Sequence, residues 1–335
     1  MIAAAATLQM NEVLLDRTEL EELEATADIE VLKCCKALEI AFKSWKRPLD
    51  HVEAAAAFEA YAEAVVLKEL QKKSARYDFQ VRRVPEQTNA KTPDFECIAS
   101  DEKFFIELKT LDMAGGIWSA KNLAERAFEN QVELDARRRP GVTFGEPLEI
   151  APFGHKVGPL MSAAVLDAYI DRVNSNVSKA QVTTGPTFLM IFGQRLPLDT
   201  NDPSCLVPSY FFEAAYPTED FPGECVSGDW WHVGFGRIGD QILAQSEFEG
   251  KGNFGGRLAR DGVLRSHPYL MGLSVFGRLM SESTFRVHTL AQNDRGQVDQ
   301  FQFEDIDPSN AAAVFSDAYN DCRNGPGISY QLRRR

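Results

Sequence analysis

The sequence predicts an α/β protein: a mixed central β-sheet flanked by helices, preceded by a helical N-terminal extension. Three observations predict it. Residues 52–73 (VEAAAAFEAYAEAVVLKELQKK) combine strong helix formers with an apolar set, Phe58, Tyr61, Ala62 and Val65, at helical spacing. Short β-rich runs follow closely at 77–84, 94–99 and 103–110. The run 187–193 (TFLMIFG) is apolar without alternation, as a strand buried on both faces should be.

The remaining elements follow in chain order. Residues 11–46 are rich in Glu and Leu and read as one or two helices that stop before Pro48. Residues 118–138 read as helical and end in Arg137, Arg138 and Arg139 before Pro140. Residues 140–158 carry the Gly and Pro of a candidate hairpin, and 160–181 form another helix ahead of the strand 187–193. Further strands are expected at 269–276 and 284–290, and the terminal run Arg333 to Arg335 reads as a frayed tail. The organisation expected is therefore an N-terminal helical extension over 1–50 and a core over 51–195, with an insertion around 118–158. Residues 196–335 would extend the sheet or form an accessory region.

Composition narrows the function classes. Apolar residues are 44% and charged residues 25% of the 335, as in a globular protein. No apolar run approaches the roughly 18 residues of a membrane span. The start MIAAAATLQMNEVLL lacks a basic segment of the signal-peptide kind, so a cytoplasmic location and no membrane partner are expected. Six cysteines, Cys34, Cys35, Cys97, Cys205, Cys225 and Cys322, include no CxxC pair, so neither a zinc cage nor a disulfide framework is indicated. The net charge of -13 disfavours polyanions in general, yet it is uneven. Residues 65–140 hold 14 basic and 13 acidic side chains, so this middle stretch alone does not repel phosphate.

That stretch also holds the constellation that can do chemistry. In KFFIELKT (103–110), alternation puts Phe104, Ile106 and Leu108 on one face and Phe105, Glu107 and Lys109 on the other. A carboxylate and an ammonium on the face of so apolar a strand cost desolvation energy unless something compensates them. Upstream, Pro93-Asp94 opens the preceding strand and Ser100-Asp101-Glu102 forms a turn. With Ser100-Asp101 as the loop, Asp94 falls opposite Glu107; with Asp101-Glu102, it falls opposite Lys109. Both registers place two carboxylates and a lysine on one side of a hairpin.

Pro93-Asp94 followed by Glu107-Leu108-Lys109 resembles the PD-(D/E)xK nuclease superfamily, and the resemblance spans about residues 52–193. Phe58-Glu59 stands where that family carries an acidic helix residue. Lys179 and Gln181 end the helix before the fourth strand, and the order helix, three strands, helix, strand matches the family's core. The resemblance implies a restriction-endonuclease-like core and metal-dependent hydrolysis of phosphodiester bonds in nucleic acid, with DNA expected before RNA. It implies Mg²⁺ or Mn²⁺ held by Asp94, Glu107, the Leu108 carbonyl and Glu59, or else Glu63 one turn later. Lys109 would then act on the attacking water or the phosphate. Asp94, Glu107, Lys109 and Glu59 are thus the expected catalytic residues, and a homodimer is left open as an assembly. A catalytically inactive binding or scaffold protein of the same fold is the alternative.

A third reading, an NAD-dependent dehydrogenase, comes from Gly234-Phe235-Gly236-Arg237-Ile238-Gly239, with Asp261 where a ribose-binding acid would stand. It expects a strand before the glycines, over the Trp230 to Val233 run, and a helix from Asp240 to Phe248. Such a helix would be short and glycine-broken, which argues against this reading. The five histidines show no HExxH spacing, and GxSxG and GxxxxGK[ST] do not occur. His155-Lys156 reads as a surface loop.

Overall fold

The computed structural model describes residues 15–45, 51–77, 79–85, 92–111, 136, 162–177, 185–193, 203–208, 210–213, 223–226, 228–244, 253–277, 285–292 and 306–320. The N-terminal region is helical. Helices α1 (Arg17–Ala25) and α2 (Ile29–Ser44) each begin on an aspartate cap. Asp16 accepts the Glu19 amide hydrogen, and Asp28 those of Glu30 and Val31, which satisfies donors a helix start leaves open. Both pack on the long helix α3 (His51–Ser74). Enclosed between these helices and the sheet, α3 buries Phe58, Tyr61, Ala62 and Val65 together with Ala64, Val66 and Leu67.

Strands β1 (Phe79–Arg83), β2 (Phe95–Ala99) and β3 (Glu102–Thr110) form an antiparallel meander. Helix α4 (Ser162–Asn176) then leads to β4 (Thr187–Phe192), which pairs parallel to β3. Two small hairpins lie apart from this sheet. They are β5 (Tyr210–Glu213) with β6 (Gly223–Val226), and β7 (Gln241–Ala244) with β8 (Asn253–Arg257). Between the hairpins runs helix α5 (Asp229–Phe235), and the short helix α6 (Val263–Ser266) follows β8. Strands β9 (Gly272–Gly277), β10 (Arg286–Ala291) and β11 (Ala318–Asn320) join the main sheet, with helix α7 (Pro308–Phe315) before β11. The result is a seven-stranded mixed sheet in the order β1-β2-β3-β4-β9-β10-β11.

The sheet separates two cores. On one face Phe95, Phe104, Ile106, Phe188, Met190 and Phe192 pack with α3 and α7. On the other, Leu189, Ile191, Leu273 and Val275 pack with α4, α5 and α6. Strand β4 supplies both sets, the physical reason its sequence is apolar throughout. Beyond β4 two expectations are corrected. Trp230 to Val233 lie in α5, not in a strand, and Gln241–Ala244 form β7, not a helix. The expected helix at 118–138, the hairpin at 140–158 and the tail at 333–335 lie outside the described residues, apart from Ala136. Among the described residues no helix is long and apolar enough to cross a membrane.

Candidate active site

The site is built on the β2–β3 hairpin. Ser100 and Asp101 both have positive φ, 50° and 69°, which is the geometry of a two-residue type I′ loop. That loop selects the first of the two registers: Ala99 faces Glu102 and Phe95 faces Ile106. One step further, Asp94 stands opposite Glu107. The next partner of Leu108 would be Pro93, which has no N–H to give the Leu108 carbonyl. Here the ladder ends and the Asp94 side chain takes over: its Oδ2 accepts the Leu108 amide hydrogen at 2.7 Å. The Phe105 amide donates toward β4, to Pro186 at 2.7 Å, so the backbone groups of even-numbered β3 residues face β2. The Leu108 carbonyl therefore faces the fork that Asp94 bridges.

Glu107 is 1% exposed and forms an ion pair with Lys109, whose side chain keeps 23% of its exposure. Burial, and then the neighbouring charge of Glu107, push the Asp94 carboxyl up to about 8; the Leu108 amide and Lys109 oppose this only in part. Glu63 adds to the same field. Its carboxylate is held by Arg83 Nη2 at 2.9 Å. Glu59, four residues earlier on the same side of α3, is exposed to solvent. The structure thus brings Asp94, Glu107 and Lys109 together on one face of the hairpin, while Glu63, on α3 at the other face of the sheet, acts on Asp94 through its charge. Of the two helix carboxylates that the sequence left open, Glu63 is the one held by Arg83 at the end of β1, and Glu59 faces solvent. Arg83 was not anticipated, and only the Arg82-Arg83 step closing an alternating strand hinted at it. Lys179, Gln181, His155, Lys156 and Arg137 to Arg139 lie outside the described residues.

Among the described residues no cluster of three or more His, Cys, Asp or Glu side chains is set to hold a metal ion. A side-chain cage of that kind suits zinc or calcium. Magnesium is commonly held by one or two carboxylates plus waters and substrate phosphate. Asp94 and Glu107 are two hard oxygen donors whose mutual repulsion a cation would relieve, and the Leu108 carbonyl faces the same fork. The donor set fits such an ion.

The glycine motif has a structural explanation. It runs from the C-terminus of α5 through a turn into β7, the reverse of the strand-to-helix order that a dinucleotide loop requires. A Cβ at Gly236 would lie 2.5 Å from the His232 carbonyl oxygen, and Gly239 has φ +90°. Asp261 accepts the Ile238 amide hydrogen at 3.0 Å, so it ties down the turn.

Comparison with family models, curated proteins and solved structures gave no match to this chain.

Proposed function

We propose that this protein is a metal-dependent nuclease of the PD-(D/E)xK kind, hydrolysing phosphodiester bonds in nucleic acid in the cytoplasm, with DNA the first substrate to test. The observation that carries the reading is the Asp94–Glu107 pair, two carboxylates brought face to face by the hairpin with Lys109 on the same face. The order α3-β1-β2-β3-α4-β4 supports a restriction-endonuclease-like core. Asp94 and Glu107, with the Leu108 carbonyl, would hold Mg²⁺ or Mn²⁺. When bound, that ion lowers the pKa of a coordinated water and offsets charge on the phosphate. Lys109 would orient the attacking water or a phosphate oxygen from the same face as Glu107. Glu63 keeps the site electronegative, and Arg83 fixes Glu63.

The test is cleavage of labelled DNA and RNA, single- and double-stranded, with Mg²⁺, Mn²⁺ or chelator. Metal-dependent cleavage is expected, falling by two or more orders of magnitude in Lys109→Ala. Cleavage undiminished by Lys109→Ala would place the active site elsewhere. A second reading, a non-catalytic binding or scaffold protein of this fold, is favoured by the Glu107–Lys109 ion pair, which neutralises the buried carboxylate without a metal. It predicts nucleic-acid binding with no cleavage of any substrate form.

A further inference from the structure

The hairpin face that carries Glu107 and Lys109 continues away from them with a second charged group. Registers place Arg82 opposite Glu96 and Glu96 opposite Phe105, while Lys103 lies two residues before Phe105 on β3. All four share the face turned away from α3. Arg82 Nη2 reaches Glu96 Oε1 at 2.5 Å, and Lys103 Nζ reaches Glu96 Oε2 at 2.6 Å. Lys103 also stands over the Phe105 ring, 5.1 Å from its centroid. The Glu96 side chain keeps 8% of its exposure, but Arg82 keeps 68% and Lys103 51%. One buried acid thus steadies two cations that remain open to solvent, leaving a surplus positive charge on a chain of net charge -13.

Ion pairs with such exposed partners contribute little to stability. Their effect here is to remove rotamer freedom from two long cationic side chains, a cost that binding would otherwise meet. Lys103 lies four residues from Glu107, about 13 Å along the strand. In a duplex that distance corresponds to about four steps of one strand.

We propose that Arg82 and Lys103, pinned by Glu96, grip a backbone phosphate of the nucleic acid several nucleotides from the bond held at Asp94 and Glu107, so that the strand lies along the open face of β1–β3. This rests on the nuclease reading for its substrate class. The pair touches phosphate alone and therefore acts equally on DNA and RNA.

The experiment measures binding of 30-nucleotide DNA, its duplex and the matching RNA by fluorescence anisotropy across a salt series. The full chain is used in a Lys109→Ala background. Removing both cations strands a buried carboxylate, so the main variant is Arg82→Gln/Lys103→Gln/Glu96→Gln. The single variants Arg82→Gln and Lys103→Gln each leave Glu96 one partner. We expect the triple variant to bind about tenfold more weakly near 0.1 M salt, with a log–log salt slope shallower by about 1 to 2. Each single variant should lose about threefold, with equal losses on DNA and RNA. Unchanged affinity and slope in the single and triple variants would overturn the proposal while leaving the nuclease reading intact. A parent chain that binds no strand also overturns it, and failure of the wild type to cleave sinks the nuclease reading separately. Loss of binding in variants of a wild type that never cleaves would keep the grip and discard the catalysis.

Discussion

The Asp94 carboxylate accepts the Leu108 amide hydrogen at 2.7 Å, across the point where β2 leaves β3. One side chain thereby closes the ladder and sets its carboxyl group beside Glu107. The geometry that satisfies the backbone is the geometry that makes the site electrostatically expensive without a cation.

That expense has a pH signature. The Asp94 carboxyl is pushed up to about 8, whereas an unfolded aspartate titrates near 4. Between those values the folded chain holds a proton that the unfolded chain releases, so stability falls as pH rises. Buried His232, pushed down to about 4, acts with the opposite slope below about pH 6.5. The comparison therefore belongs between about pH 6.5 and 8.5. There, without metal, Asp94→Asn should melt at a higher temperature than wild type, by a margin that grows with pH. Mg²⁺ should raise the wild-type melting temperature in that range and leave Asp94→Asn unmoved. Parallel melting curves for the two proteins, with and without Mg²⁺, would remove the electrostatic argument.

Glu63 and Glu59 should separate cleanly. Glu63→Gln is expected to weaken Mg²⁺ binding by about tenfold, the scale of a neighbour that orients or polarises a ligand set. Glu59→Gln should leave it unchanged. Calorimetric titration of Mg²⁺ into each variant decides, and equal losses would mean that both carboxylates reach the ion.

The turn predicts a gain. Asp101 holds φ 69° with a side chain that the left-handed region disfavours. Asp101→Gly should stabilise the protein by about 0.5–1 kcal/mol in urea unfolding, with cleavage unaffected. A loss of stability would show that the aspartate side chain contributes more than the backbone costs.

Among the described residues, Lys68 is a buried electrostatic tie between helix α1 and helix α3. It is buried against Glu19 and also reaches Glu22 at 2.8 Å. Lys68→Met should cost about 3–5 kcal/mol, because Glu19 is left buried without its partner. Adding Glu19→Leu should recover much of that loss. A urea series on the three proteins measures it, and a cost below about 1 kcal/mol would show that α1 opens readily to water.

The hairpin was legible because KFFIELKT alternates and the two-residue loop had two candidate positions, Ser100-Asp101 or Asp101-Glu102, both leaving Asp94 on the face of Glu107 and Lys109. The choice between them was not legible. Ser-Asp is not a strong type I′ signature, and only the backbone angles of Ser100 and Asp101 settle it. Helix α3 was plain from composition, yet its carboxylate was not. Enclosed between sheet and helices, it has no broad polar face, and Glu59 and Glu63 stand on the same side one turn apart. The Trp230 to Val233 run misled for another reason. Seven residues between Gly228, at φ 63°, and Gly236 are too few to display a helical period, and their aromatics look like a strand. Gln241–Ala244 is equally short, and its pairing with β8 is a tertiary fact that no local propensity encodes.

The separation of strands in sequence sets an order of assembly. β1, β2 and β3 are linked by short connections, so Asp94 and Glu107 can meet within a locally formed meander. Joining β3 to β4 must wait for the chain from Thr110 to Thr187 to close, and β4 to β9 for the chain from Phe192 to Gly272. During synthesis the bare edge of β3 is therefore exposed for as long as its parallel neighbour is still to arrive. That edge presents the backbone groups of Phe105, Glu107 and Lys109, so until β4 arrives a second nascent chain can pair with the strand that carries the Glu107–Lys109 ion pair.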